Sequence, residues 1–426
     1  MSLERSAEGA RSLGRRNFLR ASGALAAVGA LSACGSNTGR SGGSGGGGTS
    51  LSQWYHQYGE AGTQQAALRY AKAYTKADVS VQWIPGDYAS KLASGLVSSS
   101  GPDVFEFHPD VQMAKSGQIV PLDDVIADVK SDFSDNDLTA NSVDGKVYGI
   151  RMIDDPQFLY YRKSLLEKAG VEPPKTFDEL IEASHKLSKG GTKGIYLGLK
   201  AGSDAWASPL IWASGGELLT PDHKVAFDTP ATVAALKKMR ELYSSKTLLL
   251  GAPTDWFDPS AFTQGLTAMQ WCGLWAMPGI EKALGDDFGI VPLPAVGSAG
   301  RQVVYNGGWS TYVSAKAKDV DAAKAFVKWL WIEQTKYQED WSLSYGFHVP
   351  PRKSLAAKAT KLQSGTAAEA LQLFGADGHY DDPYWTQAMV TISQDMFTNA
   401  VVSGKNPESE VAKARTRVEA ELKKIV

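Results

Sequence analysis

An α/β fold is predicted for this 426-residue chain, and three observations predict it. Beyond residue 50, short runs of alternating apolar residues and longer amphipathic runs succeed one another, the rhythm of strands joined by crossover helices. About 375 residues follow the glycine-rich stretch at 35–50, enough for two domains. Cys272 is the only cysteine after Cys34, so a buried core and not disulfides must hold the fold.

The elements follow in order. Residues 52–56 alternate as a short strand, and 63–76 set Ala67, Tyr70, Ala71 and Tyr74 on one helical face. Residues 79–84 form a strand that Pro85-Gly86 ends. A helix at 88–98 carries Leu92, Leu96 and Val97, and a strand at 103–107 is entered through Gly101-Pro102. Thr176-Phe177-Asp178-Glu179 is a capping box for a helix reaching about Ser188. Asp228-Thr229-Pro230 opens another, with proline in the first turn and a stripe of Val233, Leu236, Met239, Leu242 and Tyr243. Strands are expected at 267–272, 288–293 and 310–314, and helices at 321–333 and 408–424. No repeat of fixed period is present.

The first 50 residues read differently. Arg15-Arg16 precede a thirteen-residue apolar run at 21–33, short of the roughly 20 residues that a bilayer-spanning helix needs. A positive flank, a short apolar core and small residues at its end predict an export signal over 1–33. Arg15-Arg16-Asn17-Phe18-Leu19 resembles the twin-arginine signal for export of folded proteins, with Gly14 where serine or threonine is common. Leu31-Ser32-Ala33-Cys34 resembles the bacterial lipobox, in which the cysteine sulfur takes a diacylglyceryl group and becomes the mature N-terminus. The expectation is a protein lipid-anchored through Cys34 to the outer face of the cell membrane. The rest of 34–50, "GSNTGRSGGSGGGGTS", is a flexible tether.

Without residues 1–33, which hold five arginines and two glutamates, 39 basic and 44 acidic side chains remain, a net charge of −5. That mildly acidic, mixed surface argues against nucleic-acid binding. No nucleophile elbow, zinc-protease helix or phosphate loop occurs. The six histidines stand at no metal-ligand spacing, and no cofactor is expected. Asp154-Asp155 and Asp381-Asp382 are adjacent acids, which on a strand point to opposite faces and form no catalytic pair alone. Aromatic residues make up 10% of the chain, including twelve tryptophans; flat rings of this kind pack on the C–H faces of sugars.

Four stretches then carry a resemblance: "GPDVFEFHPD...SGQIVPLDD", "DGKVYGIRMIDDPQFLYYRKSLLEKAGVEPPKTFDEL", "FTQGLTAMQWCGLW" and "GGWSTYVSAKAKDVDAAKAFVKWL". In this order and spacing they resemble the extracellular solute-binding proteins of ABC sugar importers, the class that includes maltose-binding protein, over essentially all of 51–426. The resemblance implies two α/β lobes of the type II periplasmic-binding-protein kind, a ligand cleft between them, and a hinge of two or three crossings. The crossings are expected near 156–160, 305–310 and 345–350. One lobe takes 51–156 plus 310–345, the other 157–305 plus 346–426. It further implies a monomeric, non-enzymatic receptor that binds a neutral mono- or oligosaccharide and delivers it to the transmembrane permease subunits.

Placing the family's binding regions on this chain gives the candidate contacts. The loop after the first strand offers His56, Tyr58 and Glu60, and the loop after 103–107 offers His108 and Asp110. Asp155 falls at the first crossing, Gly308 and Trp309 at the second. Trp206, Trp275, Tyr384 and Trp385 are the expected stacking rings. Trp212 is assigned to the core, and Glu106, Trp256 and Phe347 are read as structural. A secreted glycan hydrolase or lyase is the competing reading, which needs two carboxyls about 5–9.5 Å apart across the cleft. An adhesin or scaffold would have no closable cleft.

Overall fold

Two mixed β-sheets, one per lobe, organise residues 48–426, which are those that the computed structural model describes. The export signal, Cys34 and nearly all of the tether lie outside the described residues. In the first sheet the strand order is Asp78–Ile84, Ser50–His56, Val104–Phe107, Trp309–Val313, Ile150–Ile153. The first three strands run parallel and the last two pairings are antiparallel. The second sheet has the order Gly378–Tyr380, Val304–Asn306, Pro156–Tyr161, Thr267–Gly273, Lys193–Tyr196, with Gly289–Val291 also paired to Pro156–Tyr161.

Alternation sends successive side chains to opposite faces, and each sheet buries both. In the first, Tyr55 and Val104 join a core on one face while Trp54 and Phe105 join a core on the other. In the second, Leu159 and Met269 face one core, Phe158 and Cys272 the other. Thr267–Gly273 is buried at all seven positions, as a strand covered by helices on both sides should be.

The helices start where their caps dictate. The Thr176 hydroxyl accepts from the Glu179 N–H at 3.3 Å, and the Glu179 carboxylate accepts from the Thr176 N–H at 3.0 Å, opening Phe177–Leu187. Thr229 caps Pro230–Ser244 with proline in the first turn. The single helix expected over 321–333 is an α-helix, Val320–Lys328, continued by a π-helical turn, Trp329–Glu333. The Gln334 N–H reaches back five residues to the Trp329 carbonyl, at 2.9 Å. The widened turn buries Leu330, Trp331 and Ile332 consecutively, which a regular 3.6-residue period does not do.

Three chain segments cross between the lobes. The first runs through Asp154-Asp155, between Ile150–Ile153 and Pro156–Tyr161. It lies a few residues before the expected 156–160, because Pro156 already pairs with Asn306 in the second sheet. The second crosses at Gly307-Gly308, and the third lies between Thr335–Leu343 and Val349. Val349 forms an antiparallel bridge to Asp154, with N–H to O distances of 3.0 and 2.9 Å.

Candidate ligand-binding site

At the hinge, the buried Arg151 guanidinium donates to Asp154 at 2.9 Å and to the Gly307 carbonyl at 2.8 Å, and lies 3.3 Å from Asp137. The Asn306 amide donates to Asp154 at 2.7 Å. The first and second crossings are thereby tied to each other. Gly308 has φ +86°, and a Cβ there would stand 2.3 Å from the Ile153 carbonyl oxygen. Only glycine lets the crossings approach this closely.

Above the crossings is a cavity of about 730 Å³, inside the roughly 300–1,000 Å³ range of small-molecule sites. Its first-lobe wall is a layer of stacked rings. His56 stacks on Trp309 at 3.9 Å between ring centroids, Tyr58 lies 4.0 Å from His56, and His108 lies 4.2 Å from Trp309. Glu106, buried behind them, accepts from the His56 N–H at 2.9 Å and from the Tyr58 hydroxyl at 2.7 Å, and contacts His56 Nδ1 at 2.5 Å. The structural reading of Glu106 is therefore right in kind: its carboxylate fixes two cavity-lining rings. His108 Nδ1 lies 2.9 Å from the Gly308 carbonyl, which can only accept, so Nδ1 carries the hydrogen. Burial lowers His108 to about 4. The imidazole is neutral, with Nε2 left as an acceptor.

At the hinge end, His348 sits between two carboxylates, its Nδ1 against Asp155 and its Nε2 3.4 Å from Glu60. Burial works against the charge on His348, but Asp155 and Glu60 outweigh it and raise the imidazole to about 10. Burial also opposes the Glu60 charge, and the contact with His348 overcomes it, holding Glu60 below its usual range. The three side chains come from the first lobe's loop, the first crossing and the third crossing.

The second lobe supplies the facing wall. Trp275 is half-buried, with its indole N–H donating to the Phe257 carbonyl at 2.9 Å and its ring edge-on to Trp256 at 5.9 Å. The indole folds back over Gly273, where a Cβ would come 1.8 Å from the ring. Asp381 accepts from the Tyr305 hydroxyl at 2.5 Å, and burial raises it to about 6. Trp385 packs edge-on against Phe227 at 5.9 Å and is 3% exposed, yet borders the cavity. Asp110 touches both lobes: it caps Val111–Lys115 through the Gln112 N–H at 2.8 Å and accepts from the Gln387 N–H of the second lobe at 3.3 Å.

Ten of the twelve expected contacts thus border one cavity; Trp206 and Tyr384 do not. Trp206 is fully buried in the second lobe, edge-on to Trp271 at 5.6 Å and Phe177 at 6.1 Å. Its helix, Ser203–Trp206, presents Asp204 to the cavity instead. Tyr384 stacks on His223 at 3.6 Å and borders a separate depression with Trp212. Phe347 is half-buried and packs against the same apolar cluster as Trp275. Trp256 does border the cavity, against its structural reading. Sequence reasoning missed His348, Gln157, Tyr305 and Asp381. The adjacent acids at 381–382 were the one available signal.

Two hinged lobes enclosing a cavity lined by rings and carboxylates are the architecture of a solute receptor. The chain belongs to the bacterial extracellular solute-binding proteins, whose family model matches residues 48–331. It is 27% identical over 417 residues to the diacetylchitobiose-binding protein DasA of Streptomyces coelicolor, covering 90% of this chain and 92% of that protein. It is 25% identical over 316 residues to the sn-glycerol-3-phosphate-binding protein UgpB of Brucella abortus, covering 68% and 72%. The GacH receptor of Streptomyces glaucescens, solved unliganded and with acarbose, superposes with a TM-score of 0.73 at 25% identity, over 89% of this chain and all of that one.

Proposed function

We propose that this protein is a saccharide receptor of an ABC importer, held at the outer face of the membrane through Cys34, which passes its ligand to the permease without altering it. The observation that carries the reading is the pairing of flat rings with carboxylates in one cavity. Trp275 and Trp309 offer faces for sugar rings, while Glu60, Asp110 and Asp155 accept from hydroxyls. His56, Tyr58 and His108 fix the shape of the first-lobe wall, Gly308 leaves room at the hinge, and Trp385 closes the second-lobe side. Diacetylchitobiose and acarbose binding by similar proteins supports a saccharide. Among the described residues no lysine or arginine borders the cavity, which weighs against the phosphate that the Brucella relative's name implies.

The test is a panel of neutral, amino and phosphorylated saccharides, read by thermal unfolding and calorimetry. A saccharide that binds only the folded state raises the melting temperature by mass action, and the recovered sugar should be unchanged. No shift with any saccharide, or a shift with glycerol phosphate alone, would overturn the reading. Release of a cleaved sugar would favour the hydrolase.

A further inference from the structure

His348 reaches the cavity from the third crossing, and its backbone is fixed on both sides. The His348 N–H donates to the Ser342 carbonyl at 2.9 Å, and the next residue, Val349, bridges Asp154. The turn before it is wedged between the lobes. A Cβ at Gly346 would stand 2.9 Å from the Trp275 carbonyl oxygen and 3.1 Å from Glu60 Cγ.

Both ring nitrogens face carboxylates, Nδ1 against Asp155 and Nε2 against Glu60. A neutral imidazole carries one hydrogen and would set its lone pair against one of these anions; only the imidazolium donates to both. Asp155 spends a single oxygen on the ring. Its other oxygen has no hydrogen-bond partner among the described residues and is not sealed from solvent, and Asp155 borders the cavity. Glu60 borders it too, with 11% of its side chain exposed.

No neighbouring group can take over the charge of His348. Arg151 is committed to Asp154, and His56 to Glu106. His108, the Tyr58 hydroxyl and the Cys272 thiol lie within electrostatic reach of the two carboxylates, and burial holds all three uncharged.

We propose that His348 is a positioning residue of the binding site: its imidazolium keeps Glu60 and Asp155 ionised and turned so that each presents an acceptor to a ligand hydroxyl. The proposal rests on the saccharide reading above and goes beyond it by making those two contacts depend on a residue of the third crossing. With glutamine at 348, two like charges stay buried without a cation, and one of them takes up a proton at a higher pH than before. A protonated carboxyl is a poorer acceptor, so the ligand must displace that proton. A histidine that merely packs would weaken binding by the same factor at every pH.

The full-length protein and His348→Gln are titrated calorimetrically between pH 5 and pH 8 with maltose, maltotriose, cellobiose and N,N′-diacetylchitobiose. For a sugar that binds wild type, the variant should bind about tenfold more weakly at pH 5, the scale of one hydrogen bond to an ionised acceptor. The gap should narrow to about threefold or less by pH 8. Titration of Asp381 and the other wall carboxylates is common to both proteins and cancels in the ratio. A ratio near one, or one that does not change with pH, would overturn the positioning role and leave the saccharide reading standing. Binding of no sugar by wild type would overturn both. Should the variant not fold, NMR of the histidine nitrogens in wild type decides. Both His348 nitrogens should carry hydrogen at pH 7, and a bare one would overturn the proposal.

Discussion

Trp275 owes its pose to the residue two before it. Its indole lies over Gly273, so Gly273→Ala should push the ring out of the cleft and cost affinity with the tryptophan itself intact. Trp275→Ala should cost more: truncating a buried aromatic anchor commonly loses about 2 kcal/mol, a roughly thirtyfold weaker Kd. Calorimetry beside an unfolding curve checks this, since a purely structural tryptophan would lose stability and keep its affinity. His348 predicts a pH dependence. Its folded value, about 10, lies above the unfolded one near 6.5, so its contribution is complete below pH 6.5 and is lost as pH rises toward 10. Unfolding free energies of wild type and His348→Gln should therefore converge between those values, and a constant gap would contradict the charged state. The role of His348 was not legible in the sequence. "SYGFHVP" holds no mark of two carboxylates brought from positions 60 and 155, whereas Trp275 was placed by the family resemblance. Trp206 misled because a tryptophan on a four-residue helix does not reveal which face will be buried.

Elements with strong local chemistry were readable, and those made by tertiary contact were not. The capping box at Thr176 and the Thr229-Pro230 start fall where the sequence places them, since cap and first turn depend on neighbours alone. The strand Gly378–Tyr380 has three half-buried residues and no alternation to advertise it; it exists because Val304–Asn306 offers a free edge. The π-helical turn was likewise invisible, being set by what Leu330 and Trp331 pack against. The second crossing carries this paragraph's prediction. Gly308→Ala puts a Cβ 2.3 Å from the Ile153 carbonyl at φ +86°, a strain of about 1–3 kcal/mol. Its melting temperature should fall even without ligand. An unchanged melt would mean that the crossings can move apart at no cost.

For the molecule as a whole, the lobes also touch away from the crossings. The Val111 N–H donates to the Pro383 carbonyl at 2.9 Å, and Gln387 reaches Asp110. A ligand gripped by both walls should shift the population toward the arrangement in which these contacts form. X-ray scattering is expected to give a smaller radius of gyration with saccharide than without, and equal radii would argue against hinge closure. The proposed anchor is checked separately: Cys34→Ala should release the protein from membranes with its affinity unchanged.

The interleaved path of the chain has a consequence during synthesis. Val104–Phe107 and Ile150–Ile153 are not neighbours; Trp309–Val313 lies between them. At about 5–20 residues per second, the roughly 160 residues from Ile153 to Val313 take on the order of 10–30 seconds to leave the ribosome. Throughout that interval a three-stranded half-sheet and the lone strand Ile150–Ile153 wait with open edges, the state most prone to pairing with other chains. A nascent chain ending before residue 309 should therefore stay bound to chaperones or aggregate, and one extended past the third crossing should not. The time the receptor spends vulnerable is set less by its length than by the late arrival of one five-residue strand.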